Sequence, residues 1–380
     1  MPISKDVYAN WENYIKDVAD YEEEYLTKEQ KEYIIKGFNL LRQNYGESWI
    51  NDIIKGDYPI KSNVMNLAPW SKFWLADFGY WLNELKDFKE FDEIKKRIMD
   101  PIKYSSQILE LEIAYKLKKA NVDFEFFELT GKNIAGKKPD FKLNLDNQDV
   151  YLEVTNMADS LEEQNAYKTF SIISGMLMQH DYIHKIQPAI KIHKILSKPH
   201  CEELKKKMKD AIAETINLGY KKVNEEGIIE GYFIRSDLSQ EFKDKVQFGI
   251  QGPPINIDEI RRSITRIRDK STQIPNKPGI IVIYNKKLGW KYGWDDKEFY
   301  KKIVYEVQES VYEYENITHV ILITSHSKQN ANVNFYSNDY SYFHNVRCLG
   351  AVQEDIILIP NRYSKYKIDI NKIINIFKNK

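Results

Sequence analysis

Residues 105–157 constrain the fold more tightly than any other part of this 380-residue chain. A helical stretch over about 105–120 leads into three segments whose apolar residues recur at every second position, the period of strands with one buried face. Val122, Phe124 and Phe126 mark the first, Phe141, Leu143 and Leu145 the second, and Val150, Leu152 and Val154 the third. Asp146-Asn147-Gln148-Asp149 reads as a four-residue turn between the last two. Further on, short isoleucine-rich runs at 228–235, 279–284, 320–324 and 355–359 suit buried strands, and helical segments separate several of them. That alternation points to an α/β core built around a mixed sheet.

Around this core the chain divides unevenly. Residues 1–100 read as an N-terminal helical region, with 101–380 as the α/β domain and a helical insertion at about 160–225. The clearest N-terminal element starts at Pro69 and carries Trp70, Phe73, Trp74, Phe78, Trp81, Leu82 and Leu85 at helical spacing. A core or interdomain helix is the plain account of that aromatic face, and a base-stacking surface is the other. The lysines of Glu203-Leu204-Lys205-Lys206-Lys207-Met208-Lys209 read as a solvated helix face rather than a phosphate-binding one.

With 42% hydrophobic residues the chain can bury a sizeable core, and its length suggests two or three structural units. No apolar run approaches the ~20 residues needed to cross a bilayer, and the opening residues lack the apolar core of a signal peptide. The expected location is the cytoplasm. Cys201 and Cys348 form neither a CxxC nor a disulfide framework, which suits a reducing compartment. The 56 basic and 56 acidic residues cancel, so any nucleic-acid contact has to come from local patches.

Chemistry concentrates on the hairpin. With a four-residue turn Leu145 pairs with Val150, Lys142 faces Glu153, and Asp140 faces Thr155, all on the face opposite Phe141 and Leu152. In the preceding helix Glu110 shares its face with Ile113, Ala114 and Leu117, so it points inward, whereas Glu112 shares its face with Lys116. An inward carboxylate needs compensation. Three converging carboxylates suit Mg²⁺, with Mn²⁺ as the alternative ion.

Lys138-Pro139-Asp140-Phe141 followed by Tyr151-Leu152-Glu153-Val154-Thr155, behind a helix bearing Glu110, resembles the PD-(D/E)xK nuclease superfamily. The resemblance implies a restriction-endonuclease-like mixed sheet flanked by helices. It also implies that Glu110, Asp140 and Glu153 are metal ligands, in a metal-dependent nuclease that cleaves nucleic acid, with DNA as the expected substrate and a role in restriction or genome defence; a homodimer is one assembly open to such a chain. Thr155 stands where the motif has lysine. The lysine then comes from Lys142, across the hairpin, or from Lys270, which flanks the Ile260, Ile264 and Ile267 stripe of a helix, with Gln273 close behind it. Arg261, Arg262, Arg266 and Arg268 on that helix are the candidate nucleic-acid contacts. Loss of catalysis, with the fold kept as a nucleic-acid-binding or assembly module, is the alternative.

Other constellations carry less. His180 and His184 lie four residues apart with His193, His200 and Cys201 downstream, yet no HExxH glutamate is present and no finger spacing matches. Gly249-Ile250-Gln251-Gly252 lacks the lysine of a phosphate loop, and no serine-hydrolase elbow is present.

Overall fold

The computed structural model describes residues 10–23, 25–66, 69–130, 138–157, 185–194, 198–252, 259–285, 297–327, 335–336, 340–347 and 352–378. The chain forms two compact units, residues 1–157 with 259–380, and residues 158–258. Each contains a mixed sheet, and the protein is α/β.

In the first unit α1 (Trp11–Ala19), α2 (Lys28–Tyr45), α3 (Trp49–Lys55), α4 (Lys61–Met65), α5 (Pro69–Leu85) and α6 (Phe91–Ile98) precede α7 (Tyr104–Lys119). Strand β1 (Asp123–Phe126) and the short α8 (Phe127–Thr130) follow, then the hairpin β2 (Phe141–Leu145) and β3 (Gln148–Asn156). After the second unit come α11 (Glu259–Ser271), β8 (Gly279–Tyr284), α12 (Lys297–Val311), β9 (Ile317–Ser327), β10 (Phe335–Tyr336), β11 (Ser341–Arg347), β12 (Val352–Pro360) and α13 (Ile370–Phe377). The strands order as β1-β2-β3-β8-β9-β12-β11-β10. β3, β8 and β9 run parallel at the centre, and the remaining pairs are antiparallel.

Strand alternation fills both faces of this sheet. Leu152, Val154, Ile280, Val282, Ile321, Ile323, Ile356 and Leu358 share a core with α7 and the helices of residues 11–98. Tyr151, Ile281, Ile283, Val320, Leu322, Ile357 and Ile359 pack with Ile260 and Ile267 of α11 and Ile303, Val307 and Val311 of α12. Strands buried on both faces need continuous apolar runs, which is why Gly279-Ile280-Ile281-Val282-Ile283-Tyr284 reads as it does. The aromatic helix α5 is a core element: Phe73, Phe78, Trp81, Leu82 and Leu85 are buried, and Trp74 packs on Phe78 and Trp81. Only Trp70 at its start is largely exposed.

The hairpin register departs from the sequence expectation. Its turn has two residues, Asp146 and Asn147, at φ 57° and 60°, the paired left-handed conformation that matches strand twist. Leu145 therefore pairs with Gln148, and Lys142 with Tyr151 instead of Glu153. A slip of two residues keeps every side chain on its expected face but moves each partner along. Continued one residue before β2, this register sets Asp140 opposite Glu153 in place of Thr155.

The second unit is not the purely helical insertion expected for 160–225. Strands β4 (Ile186–Ile192) and β5 (Tyr220–Glu225) flank α9 (Lys198–Leu218), followed by β6 (Ile229–Arg235), α10 (Ser239–Phe242) and β7 (Gly249–Gln251). The strand order is β5-β6-β4-β7, so the 228–235 run belongs to this sheet and not to the main one. Leu204, Met208, Ala211 and Ile212 of α9 pack on Ile190, Val223, Ile229 and Phe233. Pro188 concealed β4 in the sequence, since proline is unusual within a sheet. It is tolerated because β7 pairs with β4 only from Ala189 onward. The α9 lysines are solvated and paired, Lys205 with Glu202 at 2.7 Å and Lys207 with Glu225 at 2.9 Å.

Candidate metal centre

The expected carboxylates come together where the hairpin, α7 and α8 meet. On α7 the inward face does carry Glu110, which is 6% exposed and takes a hydrogen bond from Gln107 Nε2 at 3.0 Å. Asp140 lies just before β2, half-buried, and its Oδ2 accepts from the Val154 amide at 2.6 Å. Glu153, on β3, is 1% exposed. Its Oε1 accepts from Lys270 Nζ, its Oε2 has no side-chain hydrogen-bond partner among the described residues, and the Asp140 backbone amide also favours the charged carboxylate.

A fourth carboxylate, absent from the sequence expectation, completes the group. Glu128 Oε2 is held by Arg97 Nη1 at 3.0 Å, and carboxylate oxygens of Glu110, Glu128 and Asp140 lie within 4.8 Å of one another. The Asp140 carbonyl accepts from the Phe127 amide at 2.8 Å and from the Glu128 amide at 3.4 Å, which docks the start of α8 beside Asp140. The only trace in the sequence is Phe126-Phe127, where two consecutive aromatics end the strand alternation and the chain turns. Arg97, on α6, left no local trace.

Crowding of like charges away from water has a clear electrostatic result. Burial, followed by Glu128 and Glu153 nearby, pushes Glu110 up to about 7 against the pull of Arg97. Burial and the neighbouring Glu153 and Glu110 hold Asp140 well above the usual carboxylate range, opposed by the Val154 amide and Lys270. Burial raises Glu153 as well, and Lys270 works against that shift. Four carboxylates face two cations, Lys270 and an Arg97 shared with Glu93, so the fully ionised group has an excess of at least two negative charges.

Of the two candidate lysines, the structure brings Lys270 to the carboxylates and keeps Lys142 away. Lys270 Nζ bonds Glu153 and lies 3.4 Å from Gln273 Oε1. Lys142 instead binds Asp149 at 3.1 Å and Glu125 at 3.9 Å, because the two-residue turn sets it opposite Tyr151. Thr155 is buried beside Ile283, on the same face as Glu153.

The four arginines of α11 separate by helix periodicity. Arg262 and Arg266 lie eight and four residues before Lys270, on its flank, and are half-buried. Arg261 and Arg268 take the other flank and are exposed, with Arg268 close enough to act on the Tyr312 phenol. Glu112 is more deeply set than a surface i,i+4 pair: Lys116 lies 3.5 Å from it and 2.6 Å from Glu354 of β12, and all three are buried. His193 Nε2 lies 3.0 Å from Glu230, while His180 and His184, with the His200 and Cys201 side chains, fall outside the described residues.

Among the described residues no helix is long and apolar enough to cross a membrane. No protein-family model, curated protein or solved structure matches the chain.

Proposed function

We propose that this chain is a Mg²⁺-dependent phosphodiesterase that hydrolyses nucleic acid, DNA first, on a restriction-endonuclease-like core. The observation that carries the reading is the Glu153 side chain. One of its oxygens is held by a lysine from another element, and the other is buried with no side-chain hydrogen-bond partner among the described residues, in a carboxylate whose charge acts on both Asp140 and Glu110. A buried carboxylate oxygen left unbonded costs about 1–3 kcal/mol or more, and a hard cation repays it.

The donor set fits such an ion. All the candidate ligands are carboxylates, Glu110, Asp140 and Glu153 from the motif with Glu128 beside them, and their surplus negative charge suits a divalent cation. When bound, Mg²⁺ would supply Lewis acidity to a phosphate oxygen and acidity to a coordinated water. The protein's own part is positional. The Val154 amide fixes Asp140, Gln107 fixes Glu110, and Lys270 stands against Glu153 where an ammonium can offset charge on a reacting phosphoryl group. Lys270 thus supports the relocated-lysine reading of Thr155. Arg262 and Arg266, on the same flank of α11, extend positive charge away from the centre along a path suited to a phosphate backbone.

The test is cleavage by the purified protein on a panel of DNA and RNA substrates with Mg²⁺, Mn²⁺ or chelator. Metal-dependent cleavage that Glu153→Ala abolishes is the expected result. Salt-sensitive binding without turnover, indifferent to chelator, would instead assign the chain to the non-catalytic binding class.

A further inference from the structure

We propose that Glu128 is a ligand of the metal centre and that Arg97, from the N-terminal helical region, is the residue that positions it. This rests on the metal-dependent reading above and extends it to two residues outside the hairpin motif.

The geometry separates the roles of the four carboxylates. Glu153 is engaged by Lys270, whereas the trio whose oxygens converge within 4.8 Å is Glu110, Glu128 and Asp140. Glu128 reaches that trio because its own amide and that of Phe127 bond the Asp140 carbonyl, which ties the start of α8 to the Asp140 backbone. An acidic cluster alone would prove little. The independent observation that points to a cation is Glu153 Oε2, which has no side-chain hydrogen-bond partner among the described residues and belongs to a side chain 1% exposed whose charge acts on both Glu110 and Asp140.

Left alone, Glu128 would turn outward, since its side chain is 40% exposed and beside two other acids. Arg97 prevents this. Its Nη1 holds Glu128 Oε2 at 3.0 Å, its Nε is tied back to Glu93 at 3.2 Å, and its side chain is only 17% exposed. A guanidinium clamped between two carboxylates has a fixed direction, and its charge also reaches Glu110. An exposed ion pair would be worth little. This one leaves the second Glu128 oxygen available to a cation, the arrangement by which outer-shell partners orient metal ligands.

Mn²⁺ binding to the full-length protein, read by the loss of free-ion EPR signal, tests the proposal without any substrate. Glu128→Gln and Arg97→Gln are each expected to weaken Mn²⁺ affinity by about 10–100-fold. Because Arg97 acts through Glu128, the double variant should bind no more weakly than Glu128→Gln alone, and Arg97→Lys should recover much of the loss. Thermal unfolding of each variant in chelator monitors folding; affinity lost only together with folding in Arg97→Gln, with no recovery in Arg97→Lys, would count against positioning. Affinity in Glu128→Gln within about twofold of the parent, or losses that add in the double variant, would overturn the proposal while leaving the metal centre in place. Absence of Mn²⁺ binding in the parent protein, or indifference to Asp140→Asn, would instead remove the metal-dependent reading and this proposal with it.

Discussion

At the scale of single residues, the buried carboxylates give the metal-free protein a pH signature with a definite sign. The folded state raises Glu110 from an ordinary carboxylate value to about 7, so between roughly pH 4.5 and 7 the folded chain binds more protons than the unfolded one. Stability contributed by this group is therefore greatest at low pH and declines as pH rises through that window. The expected cost at pH 8 is on the order of 3 kcal/mol. Glu110→Gln, which keeps the hydrogen-bonding shape and cannot ionise, should unfold at higher urea concentration than the parent at pH 8 in chelator, with the difference vanishing near pH 4.5. If the two proteins unfold alike at both pH values, ionisation of Glu110 does not carry this stability cost. Excess Mg²⁺ should reverse the order, since a ligand bound only by the folded parent adds RT ln(1 + [L]/Kd) to its stability.

Lys270 permits a second test at this scale. It donates to Glu153 and, as an ammonium, cannot itself be one of the proposed cation ligands. Lys270→Ala should lower the cleavage rate by about 10²-fold or more while Mn²⁺ affinity stays near that of the parent. A variant as active as the parent would return the lysine question to Thr155. Lys142→Ala should leave the rate unchanged, because its ammonium is spent on Asp149 and Glu125.

At the scale of elements, the hairpin shows what a single sequence can and cannot specify. Which side chains share a face was legible, because strand alternation has a period of two and any even slip preserves it. The partners were not, since Asp146-Asn147-Gln148-Asp149 is equally turn-forming over two residues or four, and the left-handed pair at Asp146 and Asn147 decided it. Glu110, Asp140 and Glu153 were legible for the same reason of periodicity. Glu128 and Arg97 were not, because what brings them in is a bond from α8 to the Asp140 carbonyl and the packing of α6, neither of which leaves a repeating pattern. The second unit hid its first strand behind Pro188 and needs Gly231 at φ 141°, where an added Cβ would meet the Ala189 carbonyl oxygen at 2.0 Å.

The α2 and α5 pair carries the element-scale prediction. These helices cross so closely that a Cβ on Gly79 would lie 2.2 Å from the Gly37 carbonyl oxygen, and one on Gly37 would lie 2.5 Å from Ala76 Cα. Both obstacles are backbone, which cannot rotate away. Gly79→Ala gains a little helix propensity but has to push the helices apart, so the net effect should be destabilisation by about 1–3 kcal/mol in chemical denaturation. A neutral or stabilised Gly79→Ala would mean that the crossing is looser than the structure has it.

At the scale of the whole chain, the N-terminal helices and the sheet of the first unit solve one burial problem together. Residues 1–100 have the composition of a separable helical region, yet Trp11, Phe38, Phe73, Phe78 and Trp81 belong to the same contiguous core as Ile113, Leu152, Ile321 and Phe377. Helix α7 is the shared element, buried on nearly every side from Gln107 to Leu117, including the Glu112, Lys116 and Glu354 ion group. A chain restricted to residues 101–380 would uncover one face of α7. It would also lose the Arg97 clamp. An exposed apolar face of that extent drives association in place of folding. The truncated chain should therefore be recovered as aggregate, or as a species that binds a hydrophobic dye and lacks a cooperative thermal transition, and it should fail to bind Mn²⁺ even where it remains in solution. A monomeric 101–380 fragment with a sharp transition and parent-like Mn²⁺ affinity would show that the helical region is an accessory, and would separate the metal centre from everything that α6 supplies to it.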